Sequence, residues 1–301
     1  MRSLLILCGL WLLATSSLAL GDAPRLVATI KPLHSLAAAV TEGVSEPYRL
    51  LPDGSSPHAY SLKPSDMRAL QSADVLVWVG PELETFLQRP LESLPEDTRV
   101  IEALRLPGVK TYPLRDLHHH GHDHDHGGHG LDPHFWLDPT NAREVVSALE
   151  TLLVGLDPEN AQAYAANAER ARTRLMALDL ALAERLKGLR GTPYVVFHDA
   201  YQYFEKRYGL EHAAALAIDP SRTPGARRIQ EVREVIRETG ARCVFAEPQF
   251  RPAIVDTVIE GTSARHATLD PVGAEIEAGP GAYPELLQRL ARDFEACLGE
   301  S

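Results

Sequence analysis

Two kinds of hydrophobic pattern alternate along this chain. Short apolar runs, Leu26–Ile30 and Asp74–Val79 in the first half, Tyr194–Phe197 and Arg242–Ala246 in the second, read as buried strands. Between them, helical patterning predicts helices over Pro64–Ser72, Thr223–Thr239, Pro252–Glu260 and Tyr283–Cys297. Strands that alternate with helices imply parallel sheets. Because the rhythm occurs in both halves, the expected fold class is α/β, with two Rossmann-like lobes.

The longest helical signal lies between the halves. Ala161, Tyr164, Ala168, Ala171, Leu175, Leu178, Leu182, Leu186 and Leu189 recur at steps of three and four and form one apolar stripe. Asp157 is placed to cap this helix, Pro158 to open it, and Gly188 and Gly191 to close it. A single helix over Pro158–Leu189 would be about 48 Å long at the standard rise. Such a strut resists hinge opening, whereas a Gly/Ser linker would permit it. The expected organisation is an N-terminal lobe over 20–156, an interlobe helix over 157–190 and a C-terminal lobe over 191–301.

The first residues break the pattern. Met1 and Arg2 precede an apolar run, Leu4–Leu13, that is too short for a permanent span and ends in small residues at Ser17 and Ala19. This is the form of a cleaved signal peptide, residues 1–19, and it implies export. Cys8 lacks the small neighbours of a lipid-attachment site. The mature chain keeps Cys243 and Cys297 in an oxidising compartment, an even count that suggests one disulfide; two free buried thiols is the alternative. Such a bridge would be worth about 4 kcal/mol in the chain-entropy account.

The formal charge of −11 argues against nucleic acid or an anionic membrane as partner and is compatible with a cationic ligand. Histidine then supplies the chemistry. The segment 118–130, HHHGHDHDHGGHG, offers His118, His119, His120, His122, His124, His126 and His129 with interspersed carboxylates and no apolar residue to bury. That composition predicts a loop with weak, multiple metal contacts. A tight site needs fixed donors, and isolated histidines occur where α/β proteins place ligands, in loops after strands. They are His58 in LLPDGSSPHAY, His134 in DPHFWLDP and His198 at the end of YVVF; Asp270 ends HATL in the same way. Their spacing is far too wide for a local zinc motif, so they meet only across a cleft between lobes. His34, in the turn IKPLHSL, is a weaker candidate, and His212 and His266 read as structural.

The blocks LLPDGSSPHAYSLKPSD, VWVGPELETFLQRP, DPHFWLDP after the His-rich segment, VFHDAYQYFEKRYGL and CVFAEPQFRPAIV together resemble the ZnuA family, the periplasmic zinc-binding proteins of high-affinity zinc ABC importers. The resemblance covers nearly the whole mature chain. It implies a cluster A-I solute-binding fold, two α/β lobes joined by a rigid helix with the metal between them. It also implies that His58, His134 and His198 are ligands, that Cys243 pairs with Cys297, and that the partner is a membrane permease receiving Zn²⁺ as cargo from a monomer. Some members carry an acidic residue just before the first ligand histidine. Here Pro57 stands there, which leaves the fourth position to Asp270 or a water, with Asp270 favoured.

Nitrogen donors suit zinc better than manganese, and in the family's manganese relatives a carboxylate replaces the third histidine, so His198 favours Zn²⁺. The donor types alone leave Cu²⁺ and Ni²⁺ open. Three histidines with an open position also suit a zinc hydrolase. However, HExxH, GxSxG and a P-loop are all missing, and no glutamate adjoins a ligand histidine. A binding protein rather than an enzyme is expected.

Overall fold

The computed structural model describes residues 23–115, 130–217, 220, 222–250 and 253–299. The export segment 1–19 and the histidines between 118 and 129 lie outside the described residues. Leu114 and Gly130, which flank the latter, are hydrogen-bonded to each other, N to O, at 3.0 Å.

Strands β1 (Leu26–Ala28), β2 (Tyr48–Arg49), β3 (Val75–Trp78) and β4 (Arg99–Glu102) form a parallel sheet in the order β2-β1-β3-β4. Strands β5 (Tyr194–His198), β6 (Ala214–Ala217), β7 (Cys243–Ala246) and β8 (Arg265–Thr268) repeat this arrangement as β6-β5-β7-β8. Central strands β3, β5 and β7 are buried along their whole length, which is why they appeared as unbroken apolar runs.

Helices α1 (Lys31–Thr41), α2 (Pro64–Gln71) and α3 (Gln88–Leu91) belong to the first half, and α4 (Pro139–Leu156) leads to α5 (Ala161–Leu186). Helices α6 (Gln202–Tyr208), α7 (Ala226–Thr239), α8 (Ala253–Ile259) and α9 (Ala282–Leu298) surround the second sheet. Asp138 caps α4 through Thr140 N at 2.8 Å, and Pro139 is its first residue, as DPHFWLDP predicts.

The interlobe helix departs from expectation at its ends. It opens with a 3-10 turn, Pro158–Asn160, and closes with another, Lys187–Leu189. Asp157 makes no side-chain bond to the helix backbone. Its Oδ2 instead accepts from Asn160 Nδ2 and from the Tyr164 hydroxyl, each at 2.8 Å, while its carbonyl serves the tightened first turn. The apolar stripe is buried from Tyr164 to Leu189, and α5 packs against α1, α4 and α9, so it touches helices from both halves.

Burial joins the two sheets. Tyr194 and Val196 of β5 enter a large apolar cluster that also contains Val75 and Val77 of β3, whereas Val195 and Phe197 face a smaller cluster with Val232, Val244 and Val258. This is strand alternation at work. Cys243, at the start of β7, is bonded to Cys297 near the end of α9, closing a separation of 54 residues.

Contacts between the halves converge beside the C-terminal ends of the strands. Trp136 Nε1 donates to Pro271 O at 2.8 Å, and the Tyr283 hydroxyl donates to Trp136 O at 2.6 Å. Buried Lys31, at the start of α1, reaches the carbonyls of Gly273, Ala274 and Ile276, and also pairs with Asp53.

Candidate metal site

Parallel strands all end on the same side of their sheet, and the connections beyond them form the crevice. His198 is the last residue of β5. His58 hangs in the Gly/Ser/Pro loop after β2, whose start is tied by Arg49 Nη1 to Asp53 Oδ1 at 2.6 Å. His134 follows no strand directly; it immediately precedes the 3-10 turn Phe135–Leu137 that leads into α4.

These three rings converge. His134 Nε2 lies 3.3 Å from His58 Nε2 and 3.3 Å from His198 Nε2. One ligand atom from each falls within 4.8 Å of the others. Tetrahedral ligands bound to zinc at 2.0–2.1 Å stand about 3.3 Å apart, so the spacing suits one small ion. The gap beside them is a void of about 10 Å³ lined by the histidines, Trp136, Glu247, Gln249 and neighbouring residues.

Two buried carboxylates set the tautomers. His134 Nδ1 donates to Asp132 Oδ1 at 2.8 Å, and His198 Nδ1 donates to Glu247 Oε1 at 2.6 Å. With Nδ1 protonated, each Nε2 presents its lone pair to the gap, the arrangement by which an outer carboxylate orients a metal-binding imidazole. Asp132 is held in turn, its Oδ2 accepting from Gln202 Nε2 at 3.0 Å.

Electrostatics differ from ring to ring. Burial, reinforced by the neighbouring imidazoles of His134 and His198, holds the His58 pKa well below the ordinary value, so this ring stays neutral. Burial also disfavours charge on His198, but the Glu247 carboxylate outweighs it and raises that pKa.

Asp270 does not join the cluster. Its Oδ1 accepts from Gln249 Nε2 at 2.9 Å, Gly273 N at 2.9 Å and Val272 N at 3.1 Å, and its Oδ2 accepts from Ala274 N. Both Asp270 oxygens are engaged in organising the loop after β8, so among the described residues the converging donors are the three histidines alone. His34 is also elsewhere, on α1, with Nε2 at 3.0 Å from Pro47 O. As expected, His212 and His266 have local partners, in Glu205 and Asp256. Asp199, Glu205 and His212 form a second group of potential ligands, but Arg115 pairs with both carboxylates. Burial would raise the Glu205 pKa; His212 and Arg115 bring it down to about 2. This is a satisfied ion-pair network. A larger cavity, about 520 Å³, lies between β8 and α9, lined by none of the three converging histidines, and the charges lining it include the pair Arg289–Glu275.

The residues missed from sequence are Asp132, Glu247, Gln202 and Gln249. Glu247 follows β7 as His198 ends β5, so the strand-end rule that selected histidines would have found it had it been extended to carboxylates. Asp132 stands two residues before His134, and nothing local marks Gln202 as its partner.

The family description "Zinc-uptake complex component A periplasmic" (ZnuA) matches residues 26–297. The chain belongs to the ZnuA family. The high-affinity zinc uptake system protein ZnuA of Brucella suis biovar 1 is 40% identical over 316 residues, covering 95% of this chain and 94% of that protein. Among solved structures, a crystal structure of ZnuA superposes with a TM-score of 0.79 at 22% identity, covering 92% of this chain and all of the other. The periplasmic zinc binding protein TroA from Treponema pallidum does so at 0.78 and 20%, covering 92% of this chain and all of TroA. At those identities the structures establish the shared ZnuA-like fold: two parallel four-stranded sheets with surrounding helices and a long helix.

Proposed function

We propose that this chain is the periplasmic zinc-binding component of a high-affinity zinc ABC importer. It takes Zn²⁺ into the cleft through His58, His134 and His198, then delivers it as cargo to the membrane permease. The observation that carries the reading is the convergence of three imidazole Nε2 atoms at 3.3 Å on a void of ionic size. Membership of the ZnuA family supports the cargo and the transporter. Among the described residues no helix is long and apolar enough to cross a membrane. With residues 1–19 as the cleaved export signal, the mature chain works in the periplasm as a monomer. It binds and releases without catalysing: Asp132 and Glu247, the acids nearest the rings, are committed to Nδ1 atoms and free no general base.

The test is metal binding by untagged mature protein in competition with a chromophoric chelator. His58→Ala, His134→Ala and His198→Ala are each expected to weaken zinc at least 100-fold, because each removes a direct ligand. Wild-type affinity in any one of them removes that residue from the site. Residues 118–130 serve as a weaker secondary store, so their deletion lowers zinc stoichiometry and leaves the tightest step within a few-fold. Unchanged stoichiometry would exclude them from metal binding.

A further inference from the structure

The carboxylates nearest the cation site already hold other groups. Asp270 is spent on main-chain N–H groups and Gln249, Asp132 on His134 and Gln202, and Glu247 on His198. Among the described residues beside the rings, Gln249 carries a buried oxygen without a partner. Gln249, three residues beyond β7, lines the same small void as the three histidines.

The sense of its amide is fixed by chemistry. Gln249 Nε2 lies 2.9 Å from Asp270 Oδ1, and a carboxylate accepts without donating, so the NH₂ end must face Asp270. Oε1 is therefore turned away from Asp270. That oxygen is buried and has no hydrogen-bond partner. Buried acceptors are almost always satisfied, and an orphan one beside a polar void points to a missing donor. No imidazole nitrogen lies within hydrogen-bonding distance of Oε1, and the Nδ1–H groups of His134 and His198 already have carboxylates.

A water bound to zinc is a donor of the required kind. The cation polarises its O–H bonds and leaves them both to be donated. We propose that the fourth zinc ligand is a water that donates to Gln249 Oε1, with Asp270 orienting Gln249 from behind. This deepens the zinc reading above and rests on it. Asp270 then acts on the metal at one remove, which accounts for an aspartate beside the cleft whose oxygens never reach the rings. The directly bound set is three neutral imidazoles and one neutral, exchangeable water. Release to the permease then requires no anionic ligand to be stripped from the cation.

The experiment uses untagged mature protein with zinc as probe, in Gln249→Met, which keeps the side-chain volume and removes the carbonyl, and in Gln249→Ala. Zinc affinity is expected to fall about 10- to 100-fold, as for other outer partners of a metal site. X-ray absorption should still give three imidazole nitrogens and one oxygen. The metal-free Gln249→Met protein should melt close to wild type, because the lost Gln249–Asp270 bond is offset by the removal of an orphan buried acceptor. A purely structural role predicts instead a lower metal-free melting temperature, and finding that would overturn the proposal. So would wild-type zinc affinity in both variants. Loss of the oxygen from the zinc shell in Gln249→Met would overturn it differently, by making the amide itself the ligand. His198→Ala runs alongside: tight zinc binding there would sink the three-histidine reading itself, a failure distinct from that of Gln249.

Discussion

His58 and His198 face the same gap with opposite proton preferences, and on the proposed zinc reading this fixes how binding responds to pH. Glu247 raises the pKa of His198, so as pH falls that ring takes up a proton while still above the ordinary 6.5 of imidazole. Zinc must displace that proton. Affinity should therefore be full on the alkaline side and begin to decline above pH 6.5, with His58, depressed by burial, adding no further loss until much lower pH. Glu247→Gln keeps a hydrogen-bond acceptor and removes the charge. It should move the onset of decline to lower pH while weakening zinc about 10- to 100-fold at neutral pH. Chelator competition from pH 5 to 8 measures both, and superimposable profiles for the two proteins would exclude Glu247 as the cause. At this scale sequence named the three imidazoles, because histidines in crevice loops are rare enough to notice. It left the fourth position between Asp270 and a water, since an aspartate that caps its own loop and one that binds metal look alike until the partners of its oxygens are known. Gln249 was invisible, because its significance lies in one oxygen without a partner.

Helices were legible where one face is buried and the other wet, and strands where an apolar run is buried throughout. Helices α7 and α9, and the buried strands β3, β5 and β7, fall within a few residues of their predicted limits. Strand β2 has two residues, and β4 exposes Arg99 and Val100, so neither shows a strand pattern. Helix α1 was not among the predicted helices, because nearly every residue of it is buried and no polar face marks the period. The turn after β3 carries a consequence of its own. Glu84 is completely buried; it accepts from Val79 N at 2.8 Å and Gly80 N at 3.0 Å and bonds the Thr29 hydroxyl, closing the end of the strand. Burial raises its pKa from 4.5 to about 7 against the pull of those donors. Between these values the unfolded chain loses the proton and the folded chain keeps it. Stability contributed by this group is thus intact below pH 4.5 and falls as pH rises toward 7, by about 3 kcal/mol at 1.4 kcal/mol per unit. Glu84→Gln retains an oxygen for the two N–H groups and cannot ionise. Its denaturant midpoint should vary less between pH 5 and 8 than that of wild type, and equal slopes would show that another group governs the decline.

The whole molecule is held at its cleft by contacts that no local pattern announces. Helix α5 was expected to join two lobes; it touches helices from both halves, but α1 and α9 also touch and a single apolar cluster runs through both halves. Within this frame Lys31 links three pieces of chain. Its ammonium donates to the carbonyls of Gly273, Ala274 and Ile276 in the loop ordered by Asp270, and it pairs with Asp53 in the loop that carries His58. Lys31 is 6% exposed, so the three carbonyls depend on it rather than on water. Asp53 is half exposed and has Arg49 as a second partner, so its loss matters less. Lys31→Met fills the same space without donors. At about 1 kcal/mol for each lost hydrogen bond, it should lower stability by roughly 2–4 kcal/mol. The consequence for zinc is kinetic. None of the ligands is touched, but the loop bearing His58 is no longer fastened to the opposite half, and opening the cleft has one fewer constraint to break. Zinc release into excess chelator, followed by stopped flow, should accelerate about tenfold or more, whereas opening the Cys243–Cys297 bridge should lower stability without changing that rate, because it joins β7 to α9 within one half. If Lys31→Met released zinc at the wild-type rate despite its lower stability, the clamp would be a fastening of the fold alone, and control of release would have to lie in the bonds of the three histidines themselves.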